Sequence, residues 1–275
     1  MLVISIQSQV VHGHVGNSAA VYPMQAEGVT VAAVPTALLS NHPHYPTMRG
    51  TVLDAGLVAD LLRGVEERGL IERAAVLLTG YLGSPDIAEH VARFAAAARK
   101  RNPNLIYLCD PVVGDDDLGV FVADGLTDIF RNRLVPLASI ITPNQFELEL
   151  LAGTNARDEA GLLAASAVVA AGNSAAVIAT GCTLANTPDG EVETILCTGG
   201  MATRIATPRL PIRPCGTGDL LSGLVAAHVA KGADVGTALR RAVEGTYRVL
   251  ERTQQAGADE MCLFPVTAKA APQRS

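Results

Sequence analysis

Short runs of β-branched and aliphatic residues alternate with stretches of helical periodicity along almost the whole chain, and this alternation restricts the fold more than any single motif. LVISI (2–6), VTVAAV (29–34), AAVLL (74–78), LIYLC (105–109), SIIT (139–142) and AAVIAT (175–180) read as strands. Helical patterns fill 17–27, 55–69, 85–102, 145–152, 157–172, 217–231 and 235–256. Continuous apolar runs such as AAVLL suit strands buried on both faces, and strand–helix–strand order implies right-handed parallel crossovers. ETILCT (193–198) and ATRIAT (202–207) are joined by a short Gly-Gly link and read as an antiparallel hairpin at the end of the sheet. MCLF (261–264) reads as a last edge strand, and AKAAPQRS (268–275) as a frayed tail. No repeat or linker interrupts the pattern. The expectation is one α/β domain over residues 1–275, a mostly parallel sheet covered by helices on both faces.

Composition narrows the function. Apolar residues are 49% of the chain and charged residues 17%, which is enough for a sizeable core. The net charge of −6 argues against a nucleic-acid backbone or an anionic membrane as the main partner, and an anionic substrate then needs a local cationic device. The five cysteines show no C-x-x-C pair and read as free thiols of a reducing compartment. MLVISIQSQ lacks the basic flank and apolar core of a secretory signal, and no apolar run is long enough to span a bilayer. A cytoplasmic location is expected.

Ligands of open α/β sheets bind beyond the carboxyl ends of the strands. The residues following the predicted strands are polar: Gln7-Ser8, Ser40-Asn41-His42, Thr79-Gly80-Tyr81, Asp110, Thr142-Pro143-Asn144 and Thr180-Gly181. The segment GTGD (216–219) opens a long apolar helix. Gly216, Thr217 and Gly218 let backbone N–H groups approach an anion at the positive end of that helix, and Asp219 stands beside them able to accept a proton from an attacking hydroxyl. An anion hole next to a base is the equipment of a phosphotransferase, whereas no Walker A pattern occurs. A helix-terminal carboxylate of purely structural value is the alternative.

TPNQFELELL (142–151) contains a capping box of Thr142 with Gln145, and Pro143 at the first helical position. Asn144 and Glu147 lie three apart on one helix face, where the glutamate can hold Mg²⁺ through water; a solvated helix carboxylate is the alternative. DPVVGDDD (110–117) ends a strand at Asp110 and returns Asp115 to the same edge, a companion for Glu147 at a divalent ion. Asp116 and Asp117 read as a solvated loop. In SIQSQVVHGHVGNSAA (5–20), Asn17 or Ser18 stands near a helix cap and Ser8 is placed to bond a small polar ligand, while His12 and His14 lack a third partner for zinc. SNHPHY (40–45) and Tyr81 are expected at the edge and wall of a pocket.

In order, SIQSQVVHGHVGNSAA, S-N-H, GYLGS (80–84), DPVVGD (110–115), TPNQFELELL and GTGDLLSG (216–223) resemble the ribokinase-like superfamily, and within it the pyridoxal kinases. The resemblance implies a three-layer α/β/α sandwich. It also implies transfer of the ATP γ-phosphate to the 5′-hydroxyl of a vitamin B6 alcohol, pyridoxal, pyridoxine or pyridoxamine. It casts Asp219 as base and Gly216, Thr217 and Gly218 as anion hole. Glu147 and Asp115 become the Mg²⁺ residues, and Asp110, Thr142 and Thr180 lie near K⁺ and the phosphates. Asn144, with Glu147 and Thr217, falls on the ATP side, while Ser8, His44 and Tyr81 fall on the ring side. A homodimer is implied. The chain departs from relatives at Pro43, where Thr is usual, and at Met48, where Trp is usual. A hydroxymethylpyrimidine kinase is the related alternative, and a non-catalytic pyridoxal-binding protein the unrelated one.

Overall fold

The computed structural model describes residues 1–171, 173 and 175–264. The chain opens with β1 (Leu2–Val10), α1 (Asn17–Ala26), β2 (Thr30–Leu39) and β3 (Gly50–Val52), then α2 (Ala55–Glu67), α3 (Leu70–Arg73) and β4 (Ala74–Thr79). It continues through α4 (Pro85–Arg101), β5 (Ile106–Cys109), the two-residue strands β6 (Gly114–Asp115) and β7 (Gly119–Val120), α5 (Leu126–Ile129) and β8 (Ile140–Ile141). The last part holds α6 (Gln145–Ala152), α7 (Glu159–Val169), β9 (Ala176–Cys182), β10 (Glu191–Thr198), β11 (Met201–Pro208), α8 (Thr217–Ala230) and α9 (Val235–Ala256).

Nine strands form one sheet in the order β11-β10-β9-β8-β5-β4-β1-β2-β3. The six strands from β9 to β2 are parallel, and β3, β10 and β11 add antiparallel edges. β6 and β7 make a separate small hairpin. Side chains alternate between two cores. Ile4, Ile6, Leu77 and Tyr107 face the core under α2, α4, α6 and α7, whereas Val3, Val76, Leu78 and Leu108 face the core under α1, α8 and α9. All eight are fully buried, each burial contributing roughly 1.5–3 kcal/mol. The continuous apolar runs in the sequence are thus strands with helices on both faces, a three-layer α/β/α sandwich as expected.

Chain order turns at β1, which has β2 on one side and β4 on the other, and beyond the carboxyl end of such a switch point is where open α/β sheets form their ligand crevice. The helix over that crevice sits close to its neighbour because a Cβ added at Gly223 of α8 would lie 2.9 Å from Ala20 Cβ of α1.

Several boundaries differ from the sequence reading. β1 runs on to Val10 and β2 to Leu39 because the two strands pair past their apolar parts, Gln9 opposite Leu38. β3, an edge strand opposite Ala37–Leu39, carries no apolar signal. MCLF is not a strand. Met261 and Leu263 are buried, but the backbone is held by α9: Cys262 N–H donates to Thr253 Oγ1, and Arg252 donates to the carbonyls of Cys262 and Leu263. Residues 268–275 lie outside the described residues.

Candidate functional site

The site is built around the start of α8. Gly216 is its N-cap at φ 80° and takes no side-chain cap. A Cβ there would fall 1.8 Å from the carbonyl oxygen of His14, so only glycine lets the β1–α1 loop lie against this helix end. A Cβ added at Gly218 would meet nothing within 4 Å, and Gly218 itself is exposed, so the first turn opens to its surroundings there. Asp219 is half-buried in that first turn. Burial pushes its carboxyl up to about 6, against the pull of the Gly16 N–H. One turn on, Ser222 Oγ donates to the Asp219 carbonyl at 3.2 Å.

Two more buried carboxylates face this turn. Asp110 follows β5, anchored by its N–H to Thr79 O at 2.8 Å. Burial raises its carboxyl well above the usual range, the charges of Glu147 and Asp219 raise it further, and the nearby hydroxyls of Ser222 and Thr142 pull it back. Glu147 sits in the first turn of α6. Its Oε1 accepts from Val113 N at 2.9 Å and Gly114 N at 3.4 Å, and its Oε2 from Asn144 N at 2.9 Å. Those three amides favour the charged form, yet burial outweighs them and holds the carboxyl up at about 7, Asp219 adding to the rise. Glu147 and Asp219 disfavour ionisation of Asp110, and Asp219 that of Glu147, so a bound cation would complement the cluster. The Thr142 hydroxyl, buried beside them and drawn toward Asp110, is a further oxygen donor for such a cation.

The cap of α6 differs from the sequence reading. Asn144, not Thr142, is the N-cap: its Oδ1 accepts from Glu147 N at 2.8 Å, and Glu147 closes the box in return. Thr142 is extended backbone after β8, donating to Cys109 O at 3.0 Å. Asn144 Nδ2 also donates to Gly114 O at 2.7 Å, which ties α6 to the β6–β7 hairpin. Asp115 lies in that hairpin, its Oδ1 accepting from Asp117 N and Leu118 N at 3.0 and 2.7 Å. Thr180 bridges to Asn144 and donates its N–H to Pro143 O at 2.9 Å. At α1 the cap is Gly16, because Asn17 turns inward to accept from Ser5 Oγ and donate to the carbonyls of Gln7 and Val34. Ser18 turns back to Val10.

At the β1–α1 loop, Ser8 is buried near the end of β1, and its carbonyl and hydroxyl oxygens are so close to Gly16 that a Cβ there would lie 2.3 and 2.5 Å from them. Tyr81 is half-buried, its carbonyl held by Thr36 Oγ1 at 2.7 Å, and burial raises its phenol. His44 is exposed, with Nδ1 3.1 Å from Cys215 Sγ. The residue sequence reasoning missed is Glu260. Its carboxylate accepts from His42 Nε2 at 2.7 Å, Tyr45 OH at 2.8 Å and His14 N at 3.2 Å, tying the 12–16 and 41–45 loops together beside Gly216. Burial raises Glu260, but the bonds from Tyr45 and His42 win and hold it below the usual range. Its partners are more than 200 positions away in sequence, so no local pattern marks it.

The scattered polar turns therefore converge. The 216–219 turn touches the β1–α1 loop, Asp219 couples to Asp110, and Glu147 and Asn144 bind the 113–114 backbone. Among the described residues, no helix is long and apolar enough to cross a membrane.

The family described as phosphomethylpyrimidine kinase matches residues 13–263. A pyridoxal kinase PdxY of Rubrobacter xylanophilus is 40% identical over 262 residues, covering 95% of this chain and 90% of the relative. A pyridoxine/pyridoxal/pyridoxamine kinase of Bordetella bronchiseptica is 40% identical over 261 residues, covering 95% and 92%. The solved pyridoxal kinase of Leishmania donovani in complex with ADP and ginkgotoxin superposes with a TM-score of 0.87 at 28% identity, over 95% of this chain and 92% of that one.

Proposed function

From the premise that the chain belongs to the phosphomethylpyrimidine kinase family, we propose that it transfers the γ-phosphoryl group of ATP to the 5′-hydroxyl of pyridoxal and related B6 vitamers. The observation that carries the reading is the first turn of α8, where an N-terminus without a side-chain cap and a carboxylate pushed up to about 6 stand side by side. Asp219 takes the proton of the attacking hydroxyl, and the Gly216, Thr217 and Gly218 amides receive the negative charge that grows on the transferred group. With a value just below neutrality, Asp219 is ionised at working pH yet basic enough to accept that proton.

Asn144 and Thr217 flank the nucleotide side; Ser8, Tyr81 and His44 flank the ring side. The names of the relatives, with the ADP complex of the Leishmania enzyme, favour a B6 alcohol over a hydroxymethylpyrimidine and catalysis over simple binding. Glu147 and Asp115 would hold Mg²⁺, Glu147 while its oxygens accept the backbone N–H groups of Val113 and Asn144. Asp110, Thr142 and Thr180 would hold K⁺, for which the buried Thr142 hydroxyl beside Asp110 is a fitting oxygen donor. When bound, these cations neutralise phosphate charge. The chain's own part is to position the reactants and exclude water. The working unit is a cytoplasmic homodimer.

The test is ADP release measured with pyridoxal, pyridoxine, pyridoxamine and hydroxymethylpyrimidine, each with and without Mg²⁺ and K⁺. Mg²⁺-dependent turnover led by a B6 vitamer supports the proposal. Turnover led by hydroxymethylpyrimidine, or tight vitamer binding with no ADP release, overturns it.

A further inference from the structure

His42, His44 and Cys215 come from loops some 170 residues apart, yet each offers one donor atom and the three atoms lie within 4.8 Å of one another. Three observations point to a ligand. His44 Nδ1 and Cys215 Sγ are 3.1 Å apart, close to the separation of about 3.5 Å that tetrahedral zinc imposes on an N and an S ligand. His42 is only 6% exposed, and its Nδ1 is buried with no hydrogen-bond partner. Its other nitrogen, Nε2, lies 2.7 Å from Glu260 Oε1. Since the carboxylate only accepts, neutral His42 carries its proton on Nε2 and offers a lone pair on Nδ1. A carboxylate orienting a histidine through the nitrogen that does not bind metal is the usual support of a zinc ligand. Glu260 is fixed in turn by Tyr45 OH and His14 N.

We infer that His42, His44 and Cys215 form a three-ligand site for Zn²⁺ or a similar borderline divalent ion, separate from the carboxylate cluster at Asp110 and Glu147. The donor set of two imidazoles and a thiol selects Zn²⁺ or Co²⁺ over Mg²⁺, which takes oxygen ligands. Cys215 binds as thiolate and gives its proton to solvent. Three protein ligands leave a fourth position for water or an incoming group. Cys215 directly precedes Gly216, so the ion adds positive charge beside the start of α8.

The experiment titrates full-length, chelator-treated protein with CoCl₂ in excess Mg²⁺, reading the thiolate-to-cobalt charge-transfer band, and then displaces Co²⁺ with Zn²⁺. One equivalent per chain is expected to develop the band and Zn²⁺ to remove it. Cys215→Ser is expected to abolish the band, Cys262→Ser to leave it, and His44→Ala, at an exposed position, to weaken affinity at least tenfold. Glu260→Gln, which loses the carboxylate that orients His42, is expected to weaken it roughly 10–100-fold. Absence of the band in the wild type, its survival in Cys215→Ser, or unchanged affinity in His44→Ala overturns the inference. Each readout is metal binding, so none depends on whether the chain proves to be a kinase.

Discussion

Glu147→Gln tests whether a buried carboxylate at the site is held against its own tendency to ionise. Burial raises Glu147 from an ordinary 4.5 to about 7. Below about pH 4.5 the group is neutral folded or unfolded, and its environment costs nothing. As pH rises, the unfolded chain releases the proton first, and folding is penalised increasingly until the folded group also ionises near pH 7. At about 1.4 kcal/mol for each pH unit separating the two values, the loss approaches about 3 kcal/mol. In Glu147→Gln the amide oxygen still accepts from Val113 and Gly114, while the new NH₂ faces the Asn144 N–H. That mismatch lowers stability by an amount that does not depend on pH. The quantity to follow is therefore the stability of the wild type minus that of the variant, from urea unfolding without nucleotide or divalent ions at several pH values. The other carboxylates are present in both proteins. The difference is expected to fall by about 3 kcal/mol between pH 4 and pH 8. A flat difference, or one that rises with pH, refutes the claim that Glu147 is buried at a cost.

Two further outcomes follow from the same site. Gly216→Ala forces a left-handed residue, at a cost of roughly 1–2 kcal/mol, and drives its Cβ to 1.8 Å from the His14 carbonyl. With about 2–4 °C per kcal/mol for a chain of this size, Tm is expected to drop by at least about 4 °C with most turnover lost; an unchanged melt and unchanged kcat contradict the close approach. The acid limb of kcat/KM for the vitamer is expected to bend near pH 6, because Asp219 must be ionised to accept a proton and is raised to about 6; a profile flat down to pH 4.5 contradicts that role.

The sheet was legible because its signal is local. β4 and β5 are buried on both faces, so nearly every residue in them is apolar, and α6 and α9 begin and end where the pattern puts them. Elements whose existence depends on a neighbour were not legible: β3 is a strand only because β2 extends beside it, and MCLF looks like a strand but is tethered to α9. Spacing placed Asn144 and Glu147 on one face, yet it did not reveal that they cap each other, because Thr142 and Gln145 match the same template. Gln145 spends its side chain elsewhere, donating to Ala156 O and accepting from Thr183 N. Glu260 and the His42–His44–Cys215 cluster were illegible for a different reason. Each is assembled from segments far apart in the chain that meet only in the folded protein.

The most direct measurement of the central claim is the single-turnover rate of phosphoryl transfer to pyridoxal by Asp219→Asn, with ATP affinity measured on the same protein. Removing a positioned general base is worth roughly 10²–10⁴-fold. The rate is expected to fall by about that factor while ATP binds as in the wild type. A rate within a few-fold of wild type would contradict the assignment of Asp219 as the group that accepts the hydroxyl proton.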